Sequence, residues 1–198
     1  MSEVKKLEII GTIKDGVGIG IKNIGPIFVN LILWILTCWI PYINVGTTIG
    51  MFVGIVAKAS KGESIDMVEI FDSKYRKYMG EFFLVCGLLG LGVGIGMVFA
   101  IIPGIVIAIA WMFAPLLTID KGKNPAEALT LSNNATYGNK WRIVGIMVIL
   151  GLAAGILSFI FALIPIVGII LSIALTIFLM FVEIGIQASL YKQLTSNI

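Results

Sequence analysis

Residues 82–119 read FFLVCGLLGLGVGIGMVFAIIPGIVIAIAWMFAPLLTI, an apolar run without a single charged side chain. It is nearly twice the roughly 20 residues that one helical crossing of a bilayer requires. Pro103 stands inside it, at Ile102-Pro103-Gly104. Proline removes a backbone donor and breaks a helix, and lipid tolerates only segments whose backbone is internally satisfied. The run therefore predicts two spans joined by a hairpin turn at Pro103. Two more runs have the same form: Ile24 to Ala57, interrupted at Pro41, and Ile143 to Leu190, interrupted at Pro165. The expected fold is all-α, six transmembrane helices arranged as three Pro-turned hairpins in a single membrane domain, residues 1–198.

Composition agrees with that reading. Hydrophobic residues make up 59% of the 198 and charged residues 13%, with a mean hydropathy of +1.06. Soluble domains hold about 45–50% apolar and about 25% charged residues, so a water-soluble globule is excluded. The chain has no histidine. Ser-His-Asp and Cys-His catalysis and His-containing zinc sites go with it. Cys38 and Cys86 lie within apolar runs, where a thiol packs as a small hydrophobe. The acids are interleaved with lysines in the polar segments and show no metal-ligand spacing. We expect no enzyme, no catalytic residue, no metal and no cofactor. A net charge of +3, carried beside the apolar runs, also argues against nucleic acid as a partner.

The basic residues orient the chain. Lys5, Lys6, Lys14 and Lys22 precede the first run; Lys58, Lys61, Lys74, Arg76 and Lys77 follow it. Lys121, Lys123, Lys140 and Arg142 separate the second and third runs, and Lys192 lies in the tail. That accounts for every Lys and Arg, and the tips around Pro41, Pro103 and Pro165 have none. Six spans put all the basic segments on one side, which the positive-inside rule makes cytoplasmic, with both termini. The first 23 residues carry Glu3, Glu8 and Asp15 and lack an apolar core, so no cleaved signal peptide is expected. Two arginines against twelve lysines, with much isoleucine, point to an AT-rich prokaryotic genome and hence a prokaryotic plasma membrane.

Ile40-Pro41, Ile102-Pro103 and Ile164-Pro165 recur at a constant spacing of 62 residues, and Lys61-Gly62 is echoed by Lys121-Gly122. This predicts three parallel repeats, about 1–60, 61–121 and 122–198, each an amphipathic segment followed by a hairpin, around a pseudo-threefold axis along the membrane normal. The first amphipathic stripe is Val4, Leu7, Ile10, Ile13, Val17 and Ile21; the second is Ile65, Val68, Phe71, Tyr75, Tyr78 and Phe82. Asp66, Glu69, Ser73, Arg76 and Lys77 fall off the second stripe and Ser64 caps it. In the third, Asn124 caps, Pro125 takes the first helical position and Glu127 follows three residues past the cap. Such helices suit the headgroup boundary, with lysines reaching toward anionic lipid, or form a cytoplasmic cap on the helix ends.

Glycines mark close helix contacts: Gly46, Gly50 and Gly54 at four-residue steps, Gly92 and Gly96 within the run Gly90 to Gly96, and the pair Gly151 and Gly155. These faces meet within one chain or between subunits, so a homo-oligomer or a membrane partner subunit is expected. Glu183 is the one carboxylate inside a long apolar run, with Gln187 a helical turn later on the same face. Intramembrane acids are costly and often functional. Either Glu183 snorkels or pairs with Lys192, or it handles a proton or cation.

The stretch Asp120-Lys121-Gly122-Lys123-Asn124-Pro125-Ala126-Glu127-Ala128-Leu129, with Ser132 and Tyr137-Gly138-Asn139-Lys140-Trp141, resembles a cytoplasmic segment shared by a broad group of prokaryotic multi-pass membrane proteins. That group includes the membrane domain of glycerophosphoryl diester phosphodiesterases and related families without an assigned role. The likeness covers roughly Phe82 to the C-terminus. The hydrolytic domain of those phosphodiesterases has no counterpart here, so the resemblance implies a membrane scaffold and no activity. The parallel repeats and Glu183 point to a small oligomeric transport or channel-type protein; the alternative is a membrane-organising or curvature protein, of which an accessory subunit of an envelope enzyme or exporter is a variant.

Overall fold

The computed structural model describes residues 6–164 and 166–198. Pro165, the third expected turn, and Val4, which opens the first stripe, lie outside them. Among the described residues the chain is helical throughout, with no strand. In order, it forms α1 (Ile9–Lys22), α2 (Ile24–Thr37), α3 (Pro41–Ile49), a π-turn (Gly50–Gly54), α4 (Ile55–Lys61) and two 3-10 turns (Glu69–Phe71, Ser73–Arg76). Then come α5 (Met79–Phe99), α6 (Ile101–Trp111), α7 (Ala114–Lys121), α8 (Pro125–Thr136), α9 (Lys140–Ala162) and α10 (Val167–Leu194).

Five helical stretches are long and apolar enough to cross a membrane: Pro41–Lys61, Met79–Phe99, Ile101–Lys121, Lys140–Ala162 and Val167–Leu194. This architecture is compatible with a polytopic membrane protein. A sixth span exists only if α1 and α2 are counted together across their 70° bend. The 14 residues of α2 reach about 21 Å at 1.5 Å each, against a hydrocarbon core of about 30 Å. The first of the six expected spans therefore does not stand alone.

The turns follow backbone chemistry more finely than the proline spacing does. Pro41 is the first residue of α3, where its missing N–H has no intrahelical acceptor to lose. Between α5 and α6 the chain breaks at Ala100, with φ −170° and ψ 150°, three residues ahead of the expected turn at Pro103. Pro103 sits in the first turn of α6, again where no intrahelical donor is needed. The two helices then run antiparallel, with Gly96 against the backbone of Gly104 and Gly92 beneath the Trp111 ring.

The expected amphipathic segments fare differently. In α8 Asn124 Oδ1 accepts from the Glu127 N–H at 3.0 Å and Pro125 holds the first position, as the spacing predicts. Its inward line is Ala128, Ser132 and Thr136, all buried. Ser132 Oγ accepts the Phe113 N–H at 3.1 Å and donates to the Ala110 carbonyl at 2.8 Å, satisfying backbone groups freed where α6 gives way to α7. The predicted helix over 64–82 is a correction: its middle forms two 3-10 turns, and α5 begins only at Met79. Asp72 Oδ1 accepts from the Lys74 N–H at 2.9 Å, a local bond that competes with helical pairing.

The same segment is tied from outside by Asn30 of α2, fully buried. Its Nδ2 donates to the carbonyls of Asp66 at 2.7 Å and Pro26 at 2.9 Å, and its Oδ1 accepts the Ile70 N–H at 3.1 Å. Asn30→Ala strands two backbone groups of the loop, a loss on the order of 2–4 kcal/mol. We expect faster tryptic cleavage after Lys74, Arg76 and Lys77 in the folded protein. A cleavage rate equal to wild type would show that Asn30 does not hold the loop.

In α1 the buried face is Thr12, Gly16 and Gly20, whereas Ile10 and Ile21 of the expected stripe are exposed. Small residues face the neighbour because α1 lies directly on α10. Gly16 and Gly20 oppose the backbone from Phe181 to Ile186, and Ser189 Oγ donates to Asp15 Oδ2 at 2.8 Å. Large side chains are fully buried at this end, Phe113, Leu117, Ile143, Ile146 and Tyr191 together with Ile55 and Val56 of α4. The far ends of α5 and α6 are bare hydrocarbon, with Val98 87% and Phe99 84% exposed.

Candidate functional site

The elements that fix α10 set the position of Glu183. Its C-terminal half is clamped between α1 and α4, burying Phe181, Val182, Ile184, Gly185 and Ile186. At 3.6 residues per turn that leaves one narrow line of the helix free, and Glu183 and Gln187 are on it. Both face a cleft of about 280 Å³ between α9 and α10, floored by Met112. Its walls run from Ile146 to Ala154 on one side and Leu179 to Leu190 on the other, so Glu183 lies near the middle. Every other lining side chain is apolar.

Among the described residues no ion pair or hydrogen bond reaches the Glu183 carboxylate. The expected pairing with Lys192 is not made. Nine residues along a helix is half a revolution off, and Lys192 lines a different cleft with Lys22 and Lys61. Glu183 is itself exposed. Leu150, on the opposite wall, lies about 12 Å along α9 from Arg142, the nearest basic residue of that helix.

The expected glycine contacts divide into three kinds. Gly92 and Gly96 pack within the α5–α6 hairpin. Gly46, Gly50 and Gly54 receive no helix; they receive the 63–78 segment, with Arg76 over Gly46, the Ile70 backbone on Gly50 and the Tyr75 ring on Gly54. The π-turn covers this place, which fits a loop laid against a span. Among the described residues, a Cβ at Gly151 or Gly155 would meet no atom within 4 Å. Gly151 lines the Glu183 cleft instead. The pair that makes the closest helix crossing, Gly16 and Gly20 of α1 against Gly185, was passed over in the sequence, although its four-residue spacing matches the pairs singled out.

A second polar cluster was also missed, because Glu69 reads as one of the solvated acids of its segment. Glu69 is 2% exposed. Its Oε2 accepts from Lys58 Nζ at 2.6 Å; its Oε1 accepts from Lys74 Nζ at 2.8 Å and from the Tyr75 hydroxyl at 2.5 Å. Burial pushes the carboxyl up, but these three donors outweigh it and hold the pKa at about 2. Burial and the adjacent Glu69 carboxylate raise the Tyr75 phenol. Next to it, Lys61 pairs with Asp120, and Tyr191 donates to the same carboxylate at 3.1 Å. Every charge here is matched by a near neighbour, the mark of a structural clamp joining α4, the loop, α7 and α10.

Comparison of the chain with models of known families, with curated proteins and with solved structures finds no match.

Proposed function

We propose that this is a non-enzymatic integral membrane protein of transport type, in which Glu183 takes up a proton or a cation within the α9–α10 cleft. One observation carries the reading: a carboxylate with no partner among the described residues, in an otherwise apolar cleft between two long apolar helices. An isolated charge there is expensive, and proteins retain one where it binds something that the chain does not itself supply. The proposal includes a prokaryotic plasma membrane, with both ends of the chain on the cytoplasmic side, as the distribution of Lys and Arg implies. It includes the parallel repeats as well. Their support is that Lys61-Gly62 and Lys121-Gly122 each end a helix with glycine in the left-handed conformation, φ 72° and 62°. In proteoliposomes under a proton or sodium gradient, we expect protein-dependent flux that Glu183→Gln reduces to the level of empty vesicles. Equal flux for wild type and variant, or none for either, would refute the reading.

A second reading, membrane organisation, is favoured by the α1–α2 elbow. A 70° bend followed by a helix of about 21 Å puts volume into one leaflet only, with Trp39 and Tyr42 exposed at the tip of the α2–α3 hairpin. Electron microscopy of reconstituted vesicles decides it: tubules or narrow vesicles support a curvature role, and round vesicles of ordinary size refute it.

A further inference from the structure

We infer that the α9–α10 cleft binds a small lipophilic monocation, an ammonium whose charge is wrapped in alkyl groups, with Glu183 as its counter-ion. This rests on the reading of Glu183 as a working carboxylate and names what it works on.

Charge sets the first limit. The cleft presents one carboxylate, and among the described residues no basic side chain lines it. A single positive charge completes the balance. Coordination sets the second. Calcium and magnesium require six or more oxygen ligands, and the side chains here supply at most the two oxygens of Glu183 and one of Gln187. Among the described residues no group of three or more His, Cys, Asp and Glu side chains could hold a metal ion. An inorganic ion would have to keep most of its water, and Met112, Ile146, Met147, Leu150, Leu179 and Ile186 offer that water no hydrogen bond.

An alkylated ammonium reverses both difficulties. Its hydrocarbon surface favours transfer from water to apolar walls, and its charge is balanced by the carboxylate that those walls flank. Two flexible, polarizable methionines at the floor and wall, Met112 and Met147, adapt to differing alkyl shapes. Gly151 and Ala154 keep the α9 wall low near Glu183. A volume of about 280 Å³ is at the small end of ligand sites, which selects propyl-sized substituents over large aromatic dyes.

The test uses the full chain in detergent with tetrapropylammonium as probe, measured by calorimetry or equilibrium dialysis. Saturable one-to-one binding is expected, at least ~10-fold weaker in Glu183→Gln and retained in Glu183→Asp. Gly151→Leu enters the cleft from a position where, among the described residues, a Cβ meets nothing within 4 Å; with thermal unfolding as the check on folding, it is expected to keep Glu183 yet lose the ligand. Tetramethylammonium, leaving the walls uncovered, is expected to bind at least ~10-fold more weakly than the propyl homologue. Absence of binding, or binding unchanged in both variants, overturns the inference. If binding is absent while proton or sodium flux still depends on Glu183, the ligand class is wrong and the carboxylate reading stands. If neither is seen, both fall. If Glu183→Gln splits an oligomer, the carboxylate faces a second copy and the cation site is overturned.

Discussion

Glu69→Ala is expected to destabilise the protein by about 3–5 kcal/mol, the range for removing one partner from a buried ion pair. The reason is the charge left behind. Lys58, whose side chain is 20% exposed, has no other acid within bonding distance among the described residues, and the Tyr75 hydroxyl, packed on Gly54, loses its acceptor. Lys74 suffers less, because Asp72 lies 2.7 Å away on its solvent side. Glu69→Gln keeps the shape and one acceptor but removes the charge, so a smaller loss is expected. Thermal unfolding in detergent, followed by tryptophan fluorescence, measures both. An Ala variant that melts with wild type would show that the cluster is a surface decoration.

The same carboxylate predicts a pH profile. Its folded pKa of about 2 lies below the ordinary 4.5, so it contributes stability that is fully present above pH ~4.5. That contribution is lost as the pH falls from about 4.5 toward 2. Glu69→Gln should lack this part of the acid limb, and the two melting curves should converge at low pH. Parallel curves throughout that window would assign the acid loss to other groups.

Why Glu69 was illegible in the sequence while the spans were plain is a matter of what each depends on. Apolar length is a local property: residues 82–119 announce a hairpin whatever surrounds them. The fate of 64–82 is not local. Its apolar spacing fits a helix, yet three contacts from elsewhere decide against one: Asn30 on Ile70 and Asp66, the Gly50–Gly54 notch, and Lys58 on Glu69. The caps show the same division. Asn124-Pro125 with Glu127 needs only four residues, and it forms as read. Asn30 looks like any polar residue in a span, and its role depends on a loop 36 residues away. Glu183 is intermediate. Its isolation could be read from composition, but its pairing or solitude depended on which face of α10 the neighbours would cover.

Glycine gives the sharpest case, and it carries the second large effect. Gly151-x-x-x-Gly155 and Gly16-x-x-x-Gly20 are the same pattern, but among the described residues only the second makes a contact within the chain. Gly185→Ala is expected to destabilise the protein beyond the roughly 1–3 kcal/mol of ordinary overpacking, since the new Cβ lands on the Gly16 carbonyl oxygen and the Gly20 nitrogen, backbone atoms that cannot turn aside. Gly151→Ala should do the opposite, raising stability by about 0.5–1 kcal/mol through helix propensity alone. The difference in sign is the test, because alanine is the same small change in both helices. Without hydrophobic drive between helices in lipid, α1 is held to α10 by close backbone approach and by the bonds of Asp15 to Ser189 and of Thr12 to Gln193. Forcing the backbones apart should break those bonds too and free α1, so trypsin should reach Lys14 and Lys22 in the Gly185 variant first. If both alanine variants melt alike and α1 stays protected, the crossing is loose enough to admit a methyl group, and the clamp that fixes which face of α10 carries Glu183 lies with α4 instead.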